Sequence, residues 1–435
     1  MNSQENKKNR LAGNLPEEIL LKVPARNAVL RCVCKSWNAL IMTPQFKTKH
    51  FNRNNNTHQL LFIGYCRRLL RKSLSLFSQE QEQEQSVYHI NDSMLGQRLD
   101  FDANVNFPDV FKECCFAGSV NGIVCLSCFV ESERFPYAIS FRPWVVLWNP
   151  TIMHWKLIPT PPGKPGDNVH VSVSLAFDSQ SNDYKVVRLV STGPMLESRI
   201  EIYSANHDSW IDVDQGTPVP YLTSRYNSTV IVKGVPYWSL NYLEFVGFGL
   251  GHKVRYQHVL RQSDSIAAID PHTGEYKEIM YPPAVNNPST SVLPFNFMDS
   301  LAVLTCLPSD YSNQMFYVYA LDQTCDTWNT MYSFTQTLMH NKHISIIQCF
   351  EDAGKILLVG WDRKRSVLYD PETDSLCHAT GMDALRPKWD ESYRHVESLF
   401  SVNGMVPIPR EDEDNSDHNR GPPLLFRERH LGLLI

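Results

Sequence analysis

Apolar positions follow two different periods along the chain. Between residues 14 and 50 the period is helical. Asn14 can cap a first helix, and Glu17 three residues on can return the bond. Pro16 suits the first turn, where its missing N–H leaves nothing unpaired. Glu17 and Glu18 lie where the helix dipole favours negative charge, and Ile19, Leu20 and Val23 form the apolar stripe. Pro24 pushes Val23 out of helical backbone and ends the helix. Val29, Val33, Trp37 and Ile41 then recur every four residues, flanked by Leu30, Cys34 and Leu40. This spacing predicts one long amphipathic helix that stops before Pro44. Two helices in about 35 residues cannot cover both stripes between themselves. Such a unit needs a partner helix or the neighbouring domain.

A polar stretch from Asn52 to Asn56 follows, then Leu60, Leu61, Phe62 and Ile63, which read as a strand. Gln79 to Gln85 alternates Gln and Glu with no apolar face and predicts a solvated loop or a disordered insertion. From about residue 110 the apolar period becomes that of strands. Trp144 to Trp148, Tyr184 to Val190, Arg199 to Tyr203, Phe316 to Ala320 and Lys355 to Gly360 are short, rich in β-branched or aromatic residues, and bounded by turn residues.

A degenerate repeat underlies these strands. A small polar residue closes a strand, and an aromatic or leucine follows six residues later: Asn149/Trp155, Asp178/Tyr184, Ser204/Trp210, Asp270/Tyr276, Asp322/Trp328 and Asp370/Leu376. Asp or Asn can bond its own backbone two residues on, and the Pro at 150, 271 and 371 presets the turn. Each unit reads as strand, tight turn, returning strand. The intervals 210 to 276, 276 to 328 and 328 to 376 are each near one four-stranded propeller blade, and the two earlier ones near half a blade. Asn121-Gly122, Lys233-Gly234 and Ala353-Gly354 interleave as hairpin turns with positive φ. The fold class expected is mostly β: a small N-terminal helical unit followed by a propeller-like domain of about six blades.

Composition narrows the partners. The chain has 435 residues, 43% of them hydrophobic, and a formal net charge of −5. A mildly acidic chain lacks the broad positive field that nucleic acid or an anionic membrane attracts. The one basic stretch, Arg67 to Lys72, reads as a solvated loop or strand end. The opening MNSQENKKNR has charge but no apolar core of a secretory signal, and no apolar run approaches the ~20 residues of a membrane helix. Cytosol or nucleus is the expected compartment, and the eleven cysteines are expected to be thiols. No cysteine or histidine spacing matches a zinc site, so neither metal nor cofactor is expected.

The strings Leu15-Pro-Glu-Glu-Ile-Leu20, Val23-Pro24 and Arg31-Cys-Val-Cys-Lys-Ser-Trp37 resemble the F-box of the large plant family of F-box proteins with an F-box-associated domain. Its first helix is about one turn shorter than the family pattern. Gly118 to Leu126, Leu147-Trp-Asn-Pro150, Asp183 to Val187, Ile202-Tyr203 with Ser209-Trp210, and Leu368 to Thr373 resemble the F-box-associated domain and the kelch-type propellers related to it. The resemblance implies an F-box over residues 11–50, a connector with the first strands over 51–109, the propeller-like domain over 110–410 and a tail over 411–435. It implies that the F-box binds a Skp-family adaptor, which links to a cullin. The implied adaptor contacts are Leu15, Pro16, Ile19, Leu20, Val23 and Pro24 from the first helix. Leu30, Cys32, Val33 and Trp37 are those from the second.

Catalytic motifs do not emerge. The chain carries no GxxxxGK[ST], GxSxG or HExxH pattern. Gly247-Phe-Gly249-Leu-Gly251 reads as a flexible blade loop, and His170, His252, His258, His272 and His343 stand singly. Phe135 to Tyr137, Tyr221 to Tyr226, Tyr242 to Phe248 and Tyr311 are aromatic-rich loop segments that could anchor a partner. The expected function is the non-catalytic, substrate-recognition subunit of a Skp/cullin/F-box ubiquitin ligase, its β domain holding an unidentified protein target. The alternative is a propeller interaction protein whose degenerate F-box no longer docks.

Overall fold

The computed structural model describes residues 17–23, 25, 33–54, 59–66, 71–78, 114–128, 144–159, 161, 169–192, 198–213, 229–250, 253–283, 291–308, 313–337, 346–352, 354–360, 367–378 and 391–408. A helical turn, α1, covers residues 17–20, followed by α2 (Lys35–Ile41) and α3 (Pro44–Asn54). Nearly all other regular structure among the described residues is strand.

The strands form six antiparallel sheets among the described residues. The first blade orders β3 (Cys114–Val120), β4 (Ile123–Cys128), β5 (Trp144–Asn149) and β6 (His154–Ile158), with β24 (Val406–Pro407) added beyond β6. The second contains β7 (Val169–Asp178), β8 (Asp183–Thr192), β9 (Ser198–Ser204) and β10 (Ser209–Val213). The third contains β11 (Thr229–Val232), β12 (Val235–Leu250), β13 (Lys253–Ile269) and β14 (Tyr276–Met280). The fourth contains β15 (Ser291–Phe297), β16 (Ser300–Pro308), β17 (Asn313–Asp322) and β18 (Thr327–Thr337). The fifth contains β19 (Ile346–Asp352), β20 (Lys355–Gly360), β21 (Val367–Asp370) and β22 (Ser375–His378). The last sheet joins strands far apart in the chain: β23 (Glu391–His395) pairs with β1 (Gln59–Cys66), which pairs with β2 (Arg71–Ser78).

The core lies between sheets rather than within one. Val173, Leu175 and Val186 of the second blade meet Ala117, Ile123 and Leu147 of the first. Ala176, Val187 and Leu189, one position along, meet Trp238 and Ala267 of the third. On β13, Ala267 and Ile269 face the second blade, while Ile266 and Ala268 face the fourth. The fourth and fifth blades join through Phe297, Phe316, Phe334 and Tyr369. Strand side chains alternate faces, so each of these blades has two apolar faces to bury, and stacking face to face covers both in the second, third and fourth blades and one in the first and fifth. That is the mostly-β, propeller-type fold.

The repeat read from the sequence is the hairpin chemistry of these blades. Asn149, Ser204, Asp270, Asp322 and Asp370 each open the turn between the third and fourth strands of a blade. The Oδ1 atoms of Asn149, Asp270, Asp322 and Asp370 accept from the backbone N–H two residues on, at 2.8, 2.7, 2.9 and 3.0 Å. Asp178 makes the same turn at 2.9 Å, but between the first and second strands of its blade, which accounts for the half-blade intervals. Four residues after each polar residue, Met153, Asn182, Asp208, Gly274, Asp326 and Asp374 all have positive φ, from 48° to 77°. Asn, Asp and Gly tolerate that region best, so this position was a second legible signature of the repeat.

The two-residue turns at Asn121-Gly122 and Lys233-Gly234 have both φ values positive, and a further pair, Met298-Asp299, does the same without glycine. Gly234 also sits where a Cβ would come within 2.4 Å of the Phe177 carbonyl oxygen. Its own carbonyl accepts from Phe177 N at 2.9 Å, joining the second and third blades.

Three expectations change. The helix expected from Val29 begins only at Lys35, because Cys34 is extended (φ −158°, ψ 162°). Pro44 starts α3 rather than only ending α2; Thr43 precedes it, its Oγ1 accepting from Phe46 N at 3.3 Å, the geometry of an N-cap. Tyr242 to Leu250 form a strand, not a loop: β12 and β13 pair from Asn241↔Gln262 out to Leu250↔Lys253, beyond the reach of β11 and β14. A glycine at every second position does not stop a strand when the facing strand supplies the ladder. This long hairpin also stretches the interval from 210 to 276.

Candidate partner-docking module

The helical module is built by local contacts and then seated on the β domain. The α1 turn closes with Leu21 N donating to Glu17 O at 2.9 Å. His50 on α3 places Nε2 2.7 Å from Val23 O, at the point where the chain leaves α1. Lys49 pairs with Glu17 at 2.9 Å and Arg53 with Glu18 at 3.6 Å. These are exposed pairs, which contribute little to stability. Apolar burial does more. Leu20, Leu21, Ala25, Ile41 and Phe46 form one cluster with Leu399 of the β domain, and Trp37, Leu40 and Ile152 pack against it. Phe51 of α3 meets Phe400 with ring centroids 5.3 Å apart.

The sequence-derived adaptor contacts are thereby divided. Leu20 is only 2% exposed, within the cluster that faces Leu399. Trp37 is half-buried beside it, and Val23 is half-buried with its carbonyl held by His50. Ile19 and Val33 remain 52% and 60% exposed, and Met42 also points its apolar side chain to solvent. Leu15, Pro16, Pro24, Leu30 and Cys32 lie outside the described residues. The contribution of Phe46, His50 and Phe51 was not foreseen. Their i, i+4 spacing on Phe46 and His50 was legible, but Pro44 read as a stop hid the helix that carries it.

The turn that receives the module belongs to the Leu147-Trp-Asn-Pro150 string. Asn149 is fully buried; its Nδ2 donates to Ser398 O at 3.0 Å and Phe400 O at 2.8 Å. Of the aromatic segments proposed as partner contacts, Tyr242 to Phe248 lie in β12, and Phe135 to Tyr137, Tyr221 to Tyr226 and Tyr311 lie outside the described residues. Among the described residues no three His, Cys, Asp or Glu side chains converge as a metal site, and no helix is long and apolar enough to cross a membrane.

Charged groups of the β domain instead tie blades together. His272 Nδ1 lies 2.9 Å from Asp178 Oδ2, which also meets Ser181 Oγ at 2.6 Å and Lys185 Nζ at 3.2 Å. Burial pushes the Asp178 carboxyl up, but hydrogen bonds from Ser181, His272 and Lys185 outweigh it and hold the group well below the usual carboxylate range. Trp210 Nε1 donates to Pro159 O at 2.6 Å, and Trp328 Nε1 to Met280 O at 2.8 Å. Each indole crosses from the fourth strand of one blade to the exit of the blade before it. The rings of the repeat therefore serve packing between blades.

Residues 140–402, more than half of the chain, match the family model described as F-box associated beta propeller domain. The chain belongs to that family. An F-box/kelch-repeat protein of Arabidopsis thaliana is 23% identical over 238 residues, covering 52% of this chain and 58% of that protein. An F-box/LRR-repeat protein of the same plant is 23% identical over 419 residues, covering 93% of this chain and 85% of that protein. That alignment is too long to lie within the β domain alone, so it takes in helical-module residues. The chain spans about half the length of most curated relatives it matches. The β-propeller domain of the Trilobed protease from Pyrococcus furiosus aligns with a TM-score of 0.35 and 10% identity, covering 75% of this chain and 81% of that one.

Proposed function

We propose that the chain is the substrate-recognition subunit of a Skp/cullin/F-box ubiquitin ligase. The helical module docks a Skp-family adaptor, which links to a cullin, and the β domain holds a protein target. The observation that carries the reading is the unsatisfied half of the helical module. One apolar face is buried on the β domain, yet Ile19 and Val33 stay more than half exposed. Exposed apolar side chains on a short helical unit suit a helix of a partner. The chain's own part in catalysis is proximity: it brings a target lysine near activated ubiquitin. The work is done in the cytosol or nucleus, without a cofactor.

A second reading is favoured by Leu20 and Trp37. Both are engaged with the β domain, which suits a propeller interaction protein with a relic F-box. Binding of the purified adaptor to the full chain separates the two. The ligase reading expects micromolar or tighter binding that Ile19→Asp and Val33→Asp each weaken by about tenfold or more, since a charge must then be desolvated in an apolar contact. An adaptor that ignores the wild-type chain at micromolar concentration establishes the second reading.

A further inference from the structure

The segment from Val396 to Ile408 touches three parts of the molecule at once. At its start, β23 pairs with β1, more than three hundred residues earlier in the chain. His395, the last residue of β23, places Nδ1 3.1 Å from Ser119 Oγ on β3. At its end, β24 adds to β6, with Val406 opposite Trp155, and Ile408 N donates to Met153 O at 2.9 Å. Between these points the backbone is held by the first blade. Asn149 Nδ2 takes the carbonyls of Ser398 and Phe400. Ser398 N reaches Thr151 Oγ1 at 3.4 Å, and the buried Lys156 donates to Asn403 O at 2.9 Å. Val402 enters the core between the first and second blades. Gly122 leaves the space for it: a Cβ there would lie 2.1 Å from Ser398 Oγ and 2.7 Å from Val396 O.

The same few residues are the seat of the helices. Leu399 is the β-domain member of the cluster formed by Leu20, Leu21, Ile41 and Phe46. Phe400 meets the ring of Phe51. The carbonyls that Asn149 holds therefore belong to the residues flanking, or carrying, the side chains that the helices sit on.

We propose that residues 396–408 are a clasp that makes two events cooperative: the pairing of β23 with β1 and β24 with β6, and the seating of the helical module. Asn149, Leu399 and Phe400 are its positioning residues. Ordering the clasp closes β23 on β1 and β24 on β6 and, at the same time, presents Leu399 and Phe400 to α1, α2 and α3. The helical module is then held at a fixed orientation to the β domain, with Ile19 and Val33 left outward. The coupling is intramolecular and stands whether or not an adaptor docks.

Coupling between two sites is reciprocal, and that decides the test. Amide hydrogen exchange is measured on the full chain, wild type and variants, without any partner. Leu399→Ala is expected to speed exchange across residues 17–54, and Phe46→Ala, on the helical side, to speed it across 391–408, each by about tenfold or more. Asn149→Ala is expected to do both at once. Residues 313–337 of the fourth blade keep the wild-type rate in all three, which marks the effect as local. Should Phe46→Ala fail to fold, Phe51→Ala, which removes only the ring facing Phe400, gives the same reading. The proposal is overturned if Phe46→Ala or Phe51→Ala loosens 17–54 but leaves 391–408 at the wild-type rate, or if Leu399→Ala leaves 17–54 unchanged. Adaptor binding is read separately, so either result leaves the docking reading intact.

Discussion

The helical module and the fourth and fifth blades solve the same problem with different completeness. Where those blades meet, Phe295, Phe297, Phe316, Phe334 and Tyr369 close on one another, and Phe316 stacks on Phe334 with centroids 5.2 Å apart. Both sheets are long enough to cover each other's apolar face. The helices at residues 17–54 are not. They bury Leu20, Leu21, Ile41 and Phe46 on Leu399 and leave Ile19, Val33 and Met42 in water. A blade is one member of a stack with neighbours of its own kind. A short helical unit must borrow a surface, and what it cannot borrow it offers to a partner.

The comparison can be broken most severely between the blades. Phe316→Ala empties a fully buried, stacked position and is expected to cost about 3–5 kcal/mol, read as a lowered urea midpoint by intrinsic fluorescence. A loss under about 1 kcal/mol would show that the inter-blade core is loosely packed. Next comes the contrast inside α1. Leu20→Ala is expected to cost about 2–3 kcal/mol and Ile19→Ala no more than about 0.5, although the two are adjacent. Equal costs would mean that the module is not seated as described.

His395 sharpens the comparison through pH. It is fully buried on β23, and burial pushes its imidazole down from 6.5 to about 3. The folded state holds it neutral, while the unfolded chain takes up a proton as pH drops below the unfolded value. Its contribution is therefore complete above pH ~6.5 and falls away between pH ~6.5 and ~3, by about 1.4 kcal/mol per unit. Between pH 7 and pH 5 the loss is about 2 kcal/mol, and His395→Gln is expected to flatten that slope in urea titrations. Asp178, held low, adds its own loss only once pH falls below the ordinary carboxylate range. A smaller loss is local to one turn. Asp270→Ala removes the bonds to His272 N and Thr273 N, at 2.7 and 2.8 Å. It is expected to cost about 1 kcal/mol in the same assay.

Much of the fold is legible in the order of residues. The strand-closing Asp, Asn or Ser with a ring or leucine six residues later marks six hairpins, and the structure places a turn at each. The Met298-Asp299 turn was invisible because neither residue announces positive φ as Gly does. The long β12–β13 hairpin was obscured by its glycines, which read locally as looseness. In the helical module the apolar period marked Leu20, Trp37 and Ile41 as belonging to one side, but α3 was hidden behind Pro44.

What the sequence determined by itself is whatever six or seven adjacent residues can enforce: strand period, Asx turns, two-residue hairpins, and so the class and repeat of the β domain. The tertiary structure alone decided three further things. It joined β23 to β1 and β24 to β6, pairings more than two hundred residues apart that no local pattern encodes. It set Leu399 and Phe400 as the seat of the helices. And it chose which half of one apolar stripe is buried and which is free, because an amphipathic period says that a face needs covering and is silent about what covers it.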